Sequence, residues 1–350
     1  STQGYSSAAS DVYKRQGVIV AGRRRKKSGG RSYAWRYRGR IVACVFVEVI
    51  IICALVIMIG WNKGVKEWFE QFEQPVLKEV DISGINSPNA ILMQARGGKI
   101  LGEINGEAQI YPASMTKIMT VILGIENFDD LDEKITLTDE MFSGLYEQDA
   151  TQAGFQPGEE VRVIDLLYGA MLPSGAECCI ALADTISGSE ADFAELMNKK
   201  ARKLGMENTH FCDSTGLHNP DHYSTVKDIA VLMKYCIKND TFREIVETSR
   251  HSTGVTNIHP DGITYYSTMF KNLSDPTVTG GKILGGKTGY TSEAGHCLVS
   301  FAEIEGREYI FVSAGASGAD GNTIPHIQDA VTVYNRVGAA VEAKMNDNNK

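Results

Sequence analysis

Cysteine is sparse in this chain: seven residues in 350, two of them (Cys44 and Cys53) inside its longest apolar run. The other five, Cys178, Cys179, Cys212, Cys236 and Cys297, are odd in number and irregular in spacing. That pattern argues against a disulfide framework, and the absence of any C-x-x-C pair argues against a cysteine zinc site. Internal repeats and low-complexity blocks are also missing, and the composition is not that of a disordered, collagenous or disulfide-stapled chain. What is present is a hydrophobic content of 43%, enough for one large core or two modest ones.

Acidic residues are nearly absent from the first forty positions, which hold eleven Lys and Arg against the single Asp11, a net +10. The whole chain carries -8, so the remaining 310 residues carry -18. The two parts need separate physical readings. Residues 1–16 show no apolar periodicity, and their DVYKRQ matches the translation of a sequencing adapter, so they are set aside as an artefact or a disordered tail. Residues 17–40 form a basic segment. From Ile41 to Trp61 the chain is apolar with Glu48 as its only charge. Roughly 20 such residues in a helix cross a hydrocarbon core of about 30 Å, which makes 41–61 a transmembrane anchor. The basic flank places 1–40 in the cytoplasm and everything after Asn62 outside. Its position beside the span favours topology over nucleic-acid binding. Residues 62–80, interrupted by Pro75, read as a stalk, and 81–345 as a compact domain.

Within that domain, AILMQA and ILGEI around Arg96–Lys99 predict a hairpin, as do CLVSFAEI and EYIFVSAG around Glu305-Gly306. Helical patterns occupy 115–126, 163–186, 189–204 and 226–237, the last opened by a Thr225/Asp228 capping box, and a final helix ends near Ala343. Strands at both ends with helices between predict an α+β domain in which the terminal strands share one antiparallel sheet.

Three short motifs bear on chemistry. Ser114-Met115-Thr116-Lys117 precedes an apolar helical run, so Ser114 and Lys117 share a face. A serine hydroxyl needs a base within hydrogen-bond reach, and a lysine serves only if burial or nearby cations lower its pKa. Backbone N–H groups at the helix N-terminus suit a developing oxyanion. Ser174-Gly175-Ala176 falls at a break between helical stretches. Lys287-Thr288-Gly289 follows Gly285-Gly286 and precedes a strand; a lysine beside a small hydroxyl binds a carboxylate, and Gly289 lets a substrate backbone lie close. Singly, these read as an N-cap, a loop and a strand-edge turn. Together, in this order, they match the S-x-x-K, S-D-N and K-T-G set of penicillin-binding proteins and class A β-lactamases.

The sequence resembles the low-molecular-mass penicillin-binding D-alanyl-D-alanine carboxypeptidases through YPASMTKIMT, LLYGAMLPSGAECCIALA, MNKKARKLGMENTHFCDSTGL, HYSTVKDIAVLM and GGKTGYTSEAGHCL, which span most of 88–304. The resemblance implies a serine β-lactamase/D,D-peptidase-like fold, an antiparallel sheet flanked by helices plus a helical subdomain. It implies that Ser114 is the nucleophile towards the penultimate D-Ala carbonyl, Lys117 its general base and Ser174 a proton relay. Lys287, Thr288 and Gly289 would bind the terminal carboxylate and backbone, and the N–H groups of Ser114 and Tyr290 would form the oxyanion hole. The implied partners are a peptidoglycan stem peptide ending in D-Ala-D-Ala and β-lactam antibiotics, with no metal or organic cofactor. The implied location is a bacterial membrane, with the catalytic domain outside. Two departures stand out. Ala176 replaces the usual Asn of the second motif, a loss expected to slow turnover about ten- to a hundredfold. The β-rich domain and amphipathic tail of many relatives do not follow Lys350, so the anchor falls to the N-terminal span. The alternatives are a β-lactamase or D,D-endopeptidase of the same fold, or an impaired wall-binding protein. His218 and His222 read as loop residues near the cleft, Glu195–Asn198 as a structural helix segment, and Cys178, Cys179, Met115 and Met119 as packing.

Overall fold

The computed structural model describes residues 49–50, 77–273, 275–318 and 324–348. The chain divides into two units, Ser1–Glu73 and Gln74–Lys350. Of the first, only the helical Val49 and Ile50 are among the described residues, so the span expected over 41–61 lies otherwise outside them. Among the described residues no helix is long and apolar enough to cross a membrane.

The second unit opens with β1 (Asn89–Gln94) and β2 (Ile100–Ile104), joined by the expected turn. A 3₁₀ turn at Ala113–Thr116 leads into α1 (Lys117–Asn127). β3 (Lys134–Thr136) and β4 (Glu160–Arg162) pair as a small ribbon. The helical stretch expected over 163–186 is two helices, α2 (Val163–Met171) and α3 (Ala176–Ser187). α4 (Glu190–Leu204) is capped by Ser189, whose hydroxyl accepts from the Asp192 N–H. α5 (Val226–Cys236) is capped by Thr225, which accepts from the Asp228 N–H. Only that half of the expected box forms, because the Asp228 carboxylate instead accepts from the Asn208 N–H and the Thr209 hydroxyl. α6 (Asp240–Glu247), the ribbon of β5 (Arg250–Ser252) and β6 (Thr264–Tyr266), and α7 (Thr268–Asn272) follow. β7 (Thr277–Val278), β8 (Gly281–Thr291), β9 (Gly295–Ile304), β10 (Arg307–Ala316) and α8 (Pro325–Asn348) complete the unit.

One six-stranded sheet, ordered β2-β1-β10-β9-β8-β7 with antiparallel neighbours, brings the two terminal hairpins together as expected. Alternation assigns its faces. Ile91, Met93, Val299, Phe301, Ile310 and Val312 pack towards the helices α1–α6. Ala90, Leu92, Leu298, Ala302, Tyr309 and Phe311 pack on α8, whose Ile327, Ala330, Tyr334, Val337 and Val341 recur every three or four residues. Leu77 and Val80, read from sequence as stalk, are buried in this second core, and the Val80 N–H donates to Leu101 O at 2.8 Å. Burial of both side chains puts residues 77–80 in the folded unit rather than in a stalk.

β8 carries a bulge. Ile283 pairs with Ala302 and Gly285 with Phe301, so two residues of β8 advance against one of β9. Ile283 and Lys287 are four apart and would share a face in a regular strand. The bulge inverts the order: Ile283 packs on the α8 side, whereas Lys287, opposite Val299, is turned towards the helical side. β7 pairs only with Gly281 and Lys282, so the rest of β8 is a sheet edge. Lys287–Gly289 thus lies inside a strand and not before one, along its open edge.

Candidate active site

Ser114 lies in the 3₁₀ turn and Lys117 is the first residue of α1. A 3₁₀ turn repeats every three residues, so positions i and i+3 eclipse. Lys117 Nζ accordingly donates to Ser114 Oγ at 3.1 Å, and also to Thr215 O at 2.6 Å. The lysine is buried, 3% exposed. Ala113, the residue before the nucleophile candidate, has φ +46°, a left-handed conformation that costs an alanine about 1–2 kcal/mol.

Ser174 occupies the connection between α2 and α3, with φ +74°. Apolar periodicity runs through this connection, which is why pattern alone joins the two helices; Pro173 is what breaks them. Three contacts hold the connection: Gly175 N–H to Gly169 O, Ala176 N–H to Thr151 O, both 2.8 Å, and the Glu177 carboxylate, whose Oε1 accepts from the Ala153 and Gly154 N–H groups at 2.6 and 2.9 Å. Burial raises the Glu177 pKa. Ala176 is a buried methyl at the start of α3.

On the facing edge strand, Lys287 Nζ donates to Ser174 Oγ at 3.0 Å and to Thr288 O at 2.9 Å. Burial, with the Lys117 charge nearby, holds Lys287 well below the usual lysine range. Thr288 Oγ1 pairs with Thr268 Oγ1 at 2.7 Å. A Cβ at Gly289 would stand 3.0 Å from Ser114 N and 3.2 Å from Pro112 O, so only glycine lets the strand pass this close to the serine turn. Tyr290 is 62% exposed, with its ring 4.6 Å from that of His296.

Ser114, Ser174, Thr268, Thr288, Gly289 and Tyr290 line one cleft of about 680 Å³. Lys117 and Lys287 stand behind its wall, each with its Nζ against a serine hydroxyl that faces the cleft. Every site residue named from sequence is therefore at or directly behind this one surface. Sequence reading missed Thr215, Thr268, Glu177 and Asp213, and took His222 only as a loop residue near the cleft. Asp213, Thr215 and His222 lie in turns, and Glu177 and Thr268 in the first turns of α3 and α7, where no periodicity marks a polar partner; CDSTGL was visible only as part of a longer resemblance.

His218 packs edge-on against Tyr111 at the cleft, whereas His222 is buried beside Asp213. Asn198 Nδ2 donates to Phe211 O and its Oδ1 accepts from Phe211 N–H, both at 2.8 Å. The five described cysteines are unpaired, and burial pushes the Cys179 thiol up to about 12.

The profile of the family described as D-alanyl-D-alanine carboxypeptidase matches residues 76–318. The D-alanyl-D-alanine carboxypeptidase DacF of Bacillus subtilis is 35% identical over 231 residues, covering 65% of this chain and 57% of that protein. The D-alanyl-D-alanine carboxypeptidase DacC of Escherichia coli is 33% identical over 262 residues, covering 68% and 58%. This chain thus spans under three-fifths of the length of either. A solved single-residue variant of a Streptomyces DD-transpeptidase superposes with a TM-score of 0.67 at 29% identity, covering 73% of this chain and 98% of that one. The fold is the α+β fold of that structure.

Proposed function

The chain belongs to the D-alanyl-D-alanine carboxypeptidase family, and from that premise we propose that it is a serine-type carboxypeptidase that removes the terminal D-Ala from peptidoglycan stem peptides. The observation that carries the reading is the meeting of two lysine–hydroxyl pairs in one cleft, Lys117–Ser114 at 3.1 Å and Lys287–Ser174 at 3.0 Å. Lys117 is the base within reach of Ser114, so it takes the hydroxyl proton as Ser114 Oγ attacks the penultimate D-Ala carbonyl carbon. The Ser114 and Tyr290 N–H groups receive the oxyanion at the narrow approach around Gly289. Ser174 relays the proton from Lys117 to the nitrogen of the departing D-Ala as the C–N bond breaks, which leaves an ester on Ser114. Water adds to that ester, Lys117 again carries the proton, and the shortened peptide leaves with the Ser114 hydroxyl restored. Thr288, oriented by Thr268 and backed by Lys287, receives the terminal carboxylate while Gly289 admits the peptide backbone. β-Lactams present a strained amide to the same serine and are expected to acylate it.

We further infer that residues 41–61 anchor the chain in a bacterial membrane with the folded unit outside, on the strength of the apolar run and its basic flank. Release of a chain beginning at residue 62 from the membrane fraction is the expected result; its retention there would remove the anchor from the reading. For catalysis, the full chain in detergent is given a pentapeptide ending in D-Ala-D-Ala. D-Ala release by the parent and none above background by Ser114→Ala is expected. A folded parent that releases no D-Ala would overturn the assignment.

A further inference from the structure

Asp213 and His222 touch neither substrate nor Ser114 in the reading above, yet between them they hold both neighbours of Lys117. Asp213 Oδ1 accepts from the Thr215 N–H at 2.8 Å, the Thr215 hydroxyl at 2.7 Å and the Gly216 N–H at 2.6 Å. Three donors on one oxygen fold 213–216 into a tight turn and aim the Thr215 carbonyl at Lys117 Nζ, 2.6 Å away. Asp213 Oδ2 faces His222 Nδ1 at 3.1 Å. His222 Nε2 meets Thr116 Oγ1 at 2.9 Å, one residue before Lys117.

The turn has no slack. Gly216 is left-handed at φ +80°, and a Cβ there would stand 1.9 Å from Ala113 O and 2.7 Å from Thr116 Oγ1. Ser214 adds a second tether: its carbonyl accepts from Thr120 Oγ1 at 2.6 Å, while its N–H and hydroxyl donate to Glu190 at 3.0 and 2.5 Å. His222 is 2% exposed, with its ring edge-on to Phe211 and the Cys212 N–H 3.2 Å from Nδ1. A shape-only turn would not need a mostly buried carboxylate, 24% exposed, which is costly to desolvate unless its lone pairs are filled. Here they are filled by groups that each end on a support of Lys117.

We propose that Asp213 and His222 are positioning residues for Lys117, locking the Thr215 carbonyl and the Thr116 hydroxyl into one cradle that holds Lys117 Nζ against Ser114 Oγ. The proposal rests on Lys117 being the base for Ser114. Its consequence is kinetic: a displacement of about 1 Å at the base slows chemistry far more than it weakens substrate binding.

The test uses the full chain in detergent with Thr116→Val, which keeps the shape and removes the hydroxyl, and with His222→Gln. Single-turnover acylation by a fluorescent penicillin and steady-state D-Ala release are followed from pH 5 to 10, beside the thermal midpoint. Acylation is expected to slow about 10- to 100-fold in both variants, with KM changed less than about threefold and the base-dependent limb of the pH profile displaced. A purely structural role would lower the thermal midpoint and leave the rate of the folded fraction and its pH profile as in the parent, which would overturn the proposal. Crystal structures of the parent and of Thr116→Val supply a readout that needs no activity. Lys117 Nζ moved out of hydrogen-bond reach of Thr215 O is expected, and an unmoved Nζ is the contrary result. Should the parent acylate nothing, the catalytic reading falls and the position of Nζ still decides this one.

Discussion

The wall of the cleft that carries Ser114 and Lys117 is made of turns meeting the start of α1, whereas the wall that carries Lys287, Thr288 and Tyr290 is a strand backed by a sheet and a long helix. The turn wall contains the left-handed Ala113 and Gly216, and Ser174 beside it is left-handed too. Its placement comes from short polar contacts: Lys117 to Thr215, Asp213 to its turn, Ser214 to Glu190 and Thr120. The strand wall is placed by register and by burial of Leu298, Phe311 and their α8 partners. Left-handed conformations at non-glycine residues persist only where surrounding contacts over-determine them. The two walls should therefore fail differently, one through geometry of the reacting groups and the other through stability.

The largest effect is expected at Gly216. Its Cβ would overlap Ala113 O, a backbone atom that cannot move without moving Ser114. Gly216→Ala should cost about 4 kcal/mol or more, or prevent folding, and any folded fraction should acylate poorly; urea unfolding and penicillin labelling read both. On the strand wall, Phe311→Ala opens a cavity against Tyr334 and should cost about 3–5 kcal/mol. Acylation per folded molecule should stay near that of the parent; a matching loss would show that the strand wall, too, sets reactive geometry.

A third effect concerns pH. His326, at the start of α8 and lining the far end of the cleft, is 3% exposed, and burial beside His296 pushes its pKa down from 6.5 to about 4. Between those values the unfolded chain binds the proton and the folded one does not. Stability is thus complete above about pH 6.5 and falls as pH drops towards 4, by up to about 3 kcal/mol. His326→Gln should flatten that part of the pH–stability curve measured by urea unfolding. An unchanged slope would mean that His326 titrates alike in both states. The smallest effect is expected at Thr268, whose hydroxyl orients that of Thr288. Thr268→Val should raise KM for a D-Ala-D-Ala peptide by up to about tenfold with stability changed by about 1 kcal/mol or less, and Thr268→Ser should restore it. A loss confined to kcat would instead place Thr268 with the turn wall.

The terminal hairpins, the α+β class and the three motifs were legible because each is a local pattern: period-two alternation, a Gly turn, a serine three residues before a lysine. The joined helix over 163–186 was misread because α2 and the first two turns of α3 are almost wholly buried, which leaves periodicity too little polar face from which to mark a break at Pro173. Lys287 could be named from sequence but not aimed, since the bulge beside Leu284 that turns it towards Ser174 exists only through pairing with β9. Asp213 and His222 lie about a hundred residues from Thr116, in turns without period, and Thr268 lies twenty from Thr288 at the start of the short α7; these meetings are chosen by chain crossing. Which groups could do chemistry and which strands would pair is readable from the chain's residues alone, because covalent spacing and burial patterns are local. How Ser114, Lys117, Ser174 and Lys287 face one another came from tertiary packing alone, because it depends on the β8 bulge, the left-handed Ala113, Ser174 and Gly216, and the Asp213 turn, which meets Lys117 across a long stretch of chain.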